Sequence, residues 1–245
     1  MVINISRKIL KNFYYYFVWK FLLFAFKNSK KLQWPYKVSF AQEGEDILLD
    51  RIFNKKKKGF YIDIGAHHPI RFSSTFWFYK KGWNGINIDP LPGTKKLFDR
   101  HRPRDINLEL GVANSKQNLI YYEFEQPALN TFDLEMSRKR MMVSKLKSKK
   151  AIKVSSIKEI LSKNLDTKKT IDFMNIDGQG LEMDILSSND WNIYRPLYVL
   201  VECLAYQGLS IAEVIDKPIY NFMKSQNYNL YSKTFSTLIF QDINI

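Results

Sequence analysis

Short apolar runs alternate with helix-length amphipathic segments along most of this chain, and that alternation sets the expected architecture. Runs at residues 60–64, 85–89, 106–112, 119–124, 171–176 and 197–201 have the length and composition of strands. Between them the apolar spacing turns helical. Residues 43–53 place Leu48 and Ile52 on one face with acids in the first turn. Ser73 or Ser74 can cap a segment that carries Phe76, Phe78 and Tyr79 and ends at Gly82. Further helices are expected at 94–100, after a capping box of Ser156 with Glu159, after Asp177, after Ser210 with Glu213, and from Pro218 onward. The last two runs, 228–232 and 237–241, are joined by a connection that suits an antiparallel hairpin. Strand-helix units closed by a hairpin predict an α/β fold with a mostly parallel, doubly wound sheet.

Two of the runs carry acids at informative places. Tyr61-Ile62-Asp63-Ile64-Gly65-Ala66-His67 is followed, 26 positions after Asp63, by Asn87-Ile88-Asp89-Pro90. Sheets of this kind bind ligands at the carboxyl ends of their strands. A glycine after the first strand allows close backbone approach, and an acid after the second suits a ribose diol, whose two hydroxyls both donate to one carboxylate. The turn itself reads GAHHP, with a single glycine, so the G-x-G-x-x-G cradle of a pyrophosphate is missing. An adenosine-bearing cofactor that lacks phosphate fits, and S-adenosylmethionine is the expected one.

Composition narrows the setting. The 245 residues suit one sizeable α/β domain with appendages. Cys203 is the only cysteine, which rules out an intrachain disulfide and points to a reducing, cytoplasmic compartment. Within LYVLVECL it reads as a buried structural thiol. Three histidines and one cysteine make none of the usual zinc frameworks, so no structural metal is expected. The net charge of +14 is uneven: residues 1–42 hold eight Lys or Arg and no acid. Inside that tail FYYYFVWKFLLFAF is interrupted by Lys20 and falls short of the ~20 residues of a membrane span. Residues 1–36 therefore read as an aromatic, basic helix lying on the anionic inner face of the membrane, the competing reading being a helix packed on the body of the protein. Residues 138–153 hold eight more basic residues and no acid, which fits either a solvated, mobile loop or a surface for an anionic substrate or RNA.

The segments SFAQEGEDILLDRIF, GFYIDIGAHHP, KGWNGINIDP, RPRDINLELGVA, PALNTF, IDFMNIDGQGLEMDIL and LVECL, in this order, resemble the FkbM-type S-adenosylmethionine-dependent methyltransferases. The resemblance runs from about Ser39 to the closing hairpin, and makes residues 37–245 a methyltransferase domain. It implies a class I methyltransferase fold, a seven-stranded sheet whose last hairpin inserts an antiparallel strand. It also implies O-methylation, commonly of sugars in polysaccharide or natural-product pathways. Carried over by position, Asp63, Gly65, Ala66 and Asp89 match the cofactor motifs. Gln42, Gly44, Glu45 and Asp46 match an upstream block that closes over the cofactor or the substrate mouth, which adds Gln42 and Glu45 to the cofactor set. Asn130 and Thr131 match the substrate-side segment. One position departs: where the family usually reads Asp-Val-Glu-Gly, this chain has Asp177-Gly178-Gln179-Gly180.

Glutamine keeps the hydrogen-bonding reach of glutamate but takes up no proton. A base near the acceptor hydroxyl contributes ~10²–10⁴-fold, and the candidates at strand ends are Asp177 and Glu202, with His67 and His68 in the first turn. Asp177 can equally cap its helix, and Glu202 can pair with a basic neighbour. The two could also converge on Mg²⁺, although nothing in their spacing requires it. His67, His68, Asn130, Thr131 and Gln179 form the expected substrate side. Two functions compete. One is a sugar O-methyltransferase acting on a glycan or glycolipid intermediate near the inner leaflet. The other is a catalytically idle relative that docks on a membrane or acidic polymer. Nucleic acid is not an expected partner.

Overall fold

The computed structural model describes Lys20 and residues 37–244. The chain divides into two compact units, Met1–Val38 and Ser39–Ile245. The helix expected over 1–36 lies outside the described residues, Lys20 apart.

In the second unit, helix α1 (Glu45–Ile52) leads into β1 (Phe60–Ile64), α2 (Phe76–Lys80), β2 (Asn84–Asp89), α3 (Thr94–His101) and β3 (Ile106–Glu109). Three further strands, β4 (Gly111–Val112), β5 (Gln117–Phe124) and β6 (Leu146–Ser155), follow with α4 (Leu134–Arg140) between the last two. Then come α5 (Ile157–Asn164), β7 (Phe173–Ile176), α6 (Glu182–Ser187), β8 (Tyr198–Glu202), α7 (Ile211–Val214), α8 (Pro218–Ser225), β9 (Tyr228–Lys233) and β10 (Thr237–Asp242). Seven strands form the main sheet in the order β3-β2-β1-β7-β8-β10-β9. β1, β2, β3, β7 and β8 are parallel, and β10 enters antiparallel between β8 and β9. The expected hairpin is thus present, and its second strand is the inner one.

Alternation along the central strands explains why the sheet is covered on both faces. Ile62, Ile64, Ile86, Ile88, Met174, Ile176, Val199 and Val201 pack with Ile160 and Leu161 of α5, Ile185 of α6 and Met223 of α8. The opposite face presents Tyr61, Phe173, Tyr198, Leu200 and Ile239 to Leu49 of α1 and Phe78 of α2. Phe53, Phe78, Trp83 and Phe173 lie ring against ring there, with centroids 4.8–6.3 Å apart. Each fully buried side chain of this size contributes roughly 1.5–3 kcal/mol. Strands buried on both faces are what a parallel sheet demands.

The local signals hold with a few adjustments. The N-cap of α2 is Thr75, and Ser73, one of the two expected caps, accepts from the Thr75 and Phe76 N–H groups just before the helix. Ser210 and Glu213 form a reciprocal capping box, and Pro218 opens α8. Ser156 accepts from the Glu159 N–H, but the Glu159 carboxylate turns to Ser155 and Lys163 instead of closing its box. The run expected as one strand at 106–112 divides: β3 stays in the main sheet, while β4 joins a second, three-stranded sheet of order β4-β6-β5. Residues 138–153 are mostly regular structure, since α4 extends to Arg140 and β6 pairs antiparallel with β5 from Leu146. A mobile loop is thereby excluded for most of that stretch. Lys147 and Lys150 both donate to Glu123 on β5, which ties the basic strand to its neighbour.

Candidate active site

A cleft with about 770 Å³ of open space lies over the carboxyl ends of β1, β2 and β7. Its lining mixes Ile64, Gly65 and His67 after β1 with Ile88, Asp89 and Leu91 after β2, and Asp177 and Gln179 after β7. The insert between β3 and α5 closes it with Tyr121, Asn130, Thr131 and Phe132. Three of the five described non-glycine residues with positive φ, His67, Phe72 and Gln179, also line it. Backbone held in that region costs about 1–3 kcal/mol per residue and gathers at functional sites.

Asp89 is buried at the tip of β2. Its carboxylate accepts from the His67 N–H at 2.8 Å and the Leu91 N–H at 2.9 Å, one on each oxygen. Burial outweighs these bonds and pushes its pKa up to about 6. The Thr94 side chain also bonds to this carboxylate, and its remaining lone-pair capacity is open to a donor in the cleft. Nearby, the buried Nε2 of His67 and Nδ2 of Asn130 have no hydrogen-bond partner. Unsatisfied buried polar atoms are rare, and two at one cleft mark places where a ligand would supply the missing bonds. Burial, then the charges of Arg71 and His68, lower the His67 pKa, so its ring is neutral at pH 7.

At the end of β7, the Gln179 amide nitrogen donates to Asp177 Oδ1 at 2.6 Å and reaches Glu202 Oε2 at 3.3 Å. Its amide oxygen accepts from Arg140 Nη2. A guanidinium only donates, so Arg140 fixes the orientation of the amide. Arg140 also donates to the backbone carbonyls of Leu129 at 3.0 Å and Asn130 at 3.1 Å, and Thr131 Oγ1 donates to the Gln179 carbonyl at 2.7 Å. The insert and the β7 turn are therefore one hydrogen-bonded unit. Burial and the adjacent Glu202 carboxylate raise the Asp177 pKa well above the carboxylate range, and burial raises that of Glu202.

Gln42, Gly65, His67, Asp89, Asn130, Thr131, Asp177 and Gln179 all line the cleft. Asp63, Ala66, Glu45, His68 and Glu202 are not part of its lining. Asp63 is buried beneath it, accepting from Thr75 Oγ1 at 2.6 Å and Asn175 Nδ2 at 3.0 Å. Arg102, fully buried, donates to the same Thr75 hydroxyl, to Ser73 Oγ and to the Pro69 carbonyl, and so anchors the loop that carries Phe72. Glu45 accepts from Thr237 Oγ1, and Glu43 from the Ser236 N–H, joining the start of α1 to the β9–β10 hairpin. His68 Nδ1 accepts from the N–H groups of Ile70 and Arg71 within its own turn. Glu202 touches the site through Gln179. Gly65 serves a different approach from the one its motif suggests: a Cβ there would lie 2.0 Å from the Asp177 carbonyl oxygen, at φ +77. Its missing side chain lets the β1 and β7 turns meet.

Tyr121, Phe72 and Arg140 belong to the site without having been singled out. Tyr121 and Arg140 come from the insert, where nothing in the sequence marks the sheet that brings them back. A family model for the methyltransferase FkbM domain matches residues 63–230. This chain belongs to the FkbM methyltransferase family. No curated protein and no solved structure is matched by the chain. The seven-stranded sheet with its inserted antiparallel strand is the framework of this FkbM methyltransferase domain, and the cleft occupies the strand ends where such a sheet binds ligands.

Proposed function

We propose that this FkbM-family methyltransferase uses S-adenosylmethionine to methylate a hydroxyl of a sugar, carried on a glycan or glycolipid intermediate. The observation that carries the reading is Asp89, a buried carboxylate opening on the cleft with spare lone pairs beside an apolar wall of Ile88, Leu91 and Leu110. That pairing suits a ribose diol next to an adenine. Asn130 and His67, with their unpartnered nitrogens, suit the polar ends of donor and acceptor. When bound, S-adenosylmethionine supplies an electrophilic methyl group and needs no metal to activate it.

The residues of the chain then have three tasks. Asp89 holds the donor, while Tyr121 and Phe132 cover the cleft and exclude water. Asp177 accepts the hydroxyl proton of the acceptor. Its raised proton affinity brings a carboxylate toward the basicity that such a transfer needs. Glu202 is the source of part of that shift, and Gln179 holds the two carboxyls in place while itself held by Arg140. Gln179 in this view is a positioning residue, and the usual glutamate is not required of it.

Transfer of a radiolabelled methyl group from S-adenosylmethionine to lipid-linked saccharides tests the reading. The expected product is a methyl ether stable to mild alkali. The rate should rise with pH as the Asp177–Glu202 pair loses its proton, and Asp177→Asn should lower it by about 10²-fold and flatten the profile. An alkali-labile methyl ester, or label passing to RNA instead, would overturn it. The idle alternative predicts no donor binding at all.

A further inference from the structure

An apolar tip projects from the insert a few residues beyond the site. Met142 is 86% exposed, Val143 76% and Met141 42%, in the turn that links α4 to β6. Leu134, at 47%, lies on the same helical stripe as Arg138 and Met141, spaced by four and seven positions. The turn is ordered by its own backbone bonds: Met141 N–H to Ser137 O, Met142 N–H to Lys139 O, and Val143 and Ser144 N–H to Arg140 O, at 2.9–3.2 Å. Its side chains are thus held outward by a formed structure.

The charges around this tip indicate what it meets. Arg138 and Lys139, both exposed, precede it in the last turn of α4, and Lys145 and Lys147 follow it. Glu125 stands 3.8 Å from Lys145 and Glu123 takes Lys147, whereas Arg138 and Lys139 make no ion pair among the described residues. Exposed aliphatic and thioether side chains ringed by cations match a surface that is apolar within and anionic at its rim. That is the composition of an anionic lipid interface. A nucleic acid would use the cations but leave Met142 and Val143 in water. An acidic protein would leave the same apolar area only partly covered.

We infer that the α4–β6 tip inserts into an anionic lipid surface, with Met141, Met142 and Val143 at acyl-chain depth and Arg138, Lys139 and Lys145 at the headgroups. Arg140, directly before the tip, reaches Gln179 and the cleft wall. Docking there brings the site to the membrane, which suits a lipid-borne acceptor. The inference rests on the shape and charge of the insert and stands whatever the donor or acceptor proves to be.

Full-length protein carrying Met142→Cys, labelled with an environment-sensitive fluorophore, reports the insertion directly. Cys203 is buried and does not compete for the label. A second label at Lys168→Cys, in the loop before β7, serves as the reference. With phosphatidylcholine–phosphatidylglycerol vesicles the label at 142 should brighten and shift to the blue, and the label at 168 should not. Phosphatidylcholine alone should give little response. Met142→Asp with Val143→Asp should weaken vesicle partitioning roughly tenfold or more. An unchanged label at 142 on protein that sediments with the vesicles would assign binding to another part of the chain and overturn the inference. So would failure to sediment, an equal response to neutral vesicles, or an equal blue shift with an RNA homopolymer.

Discussion

Replacing Gln179 by glutamate puts a carboxylate oxygen where an amide donor now stands, 2.6 Å from Asp177 Oδ1 and 3.3 Å from Glu202 Oε2. Two unit charges 4 Å apart repel by about 4 kcal/mol at an effective dielectric of ~20. The new charge faces the Asp177–Glu202 pair, which already shares a proton, and recovers part of the cost from Arg140. Binding a proton relieves the rest, because Asp177 is already raised well above the carboxylate range. The folded variant therefore holds more protons than its unfolded chain, whose carboxyls ionise near their ordinary values. Its deficit is full above the raised folded pKa and shrinks as pH falls. We expect Gln179→Glu to lose about 2–4 kcal/mol at about pH 8. That corresponds to roughly 5–15 °C in Tm for a chain of this size. The loss should nearly vanish by about pH 5. Gln179→Met, which removes the donor without adding a charge, should show a smaller loss with a weaker dependence on pH. Calorimetric scans of the three proteins across this range provide the assay. In methyl transfer, Gln179→Glu should slow turnover about tenfold at neutral pH because the extra proton occupies the base. A pH-independent stability difference, or a large gain in rate, would refute the carboxylate network as drawn.

Other outcomes follow from the same geometry. Gly65→Ala should destabilise the fold by at least about 2 kcal/mol, since the φ of +77 disfavours any side chain and the new Cβ meets backbone; denaturant titration measures it. Arg102→Met should cost about 3–5 kcal/mol, because it strips a buried cation from Thr75, Ser73 and Pro69. A loss under 1 kcal/mol in the same titration would mean that the loop after β1 is held by other contacts. Donor affinity should be flat at neutral pH and fall about tenfold per unit below the Asp89 pKa of about 6, as the diol needs the ionised carboxylate. Affinity that stays constant down to about pH 5 would exclude that contact.

Much of this was legible in the chain. The strands at 60–64 and 85–89 and the closing hairpin follow from apolar runs buried on both faces, a pattern strong enough to survive any local ambiguity. Asp89 and Gln179 were legible too, since position after a strand fixes which end of the sheet a residue reaches. The insert was not. Lys147, Lys149, Lys150 and Lys153 mask the alternation of β6, whose Val154 is buried while Lys150 reaches Glu123. Arg140 was hidden for the same reason, as one cation among eight. Asp63 shows the opposite limit: its motif locates the strand, but only packing reveals that its carboxyl serves Thr75 and Asn175 beneath the cleft.

Titration calorimetry with S-adenosylmethionine, on the wild-type protein and Asp89→Asn at about pH 7.5, tests the central claim. The cleft as described predicts saturable micromolar binding by the wild type and a loss of about 10²-fold in the variant, equal to two charge-assisted hydrogen bonds at the lower end of their range. The same variant should keep its fold, because removing a buried charge whose pKa is raised to about 6 offsets the lost backbone bonds. No heat with the wild type, or equal affinity in both proteins, would contradict the assignment of this cleft to the methyl donor.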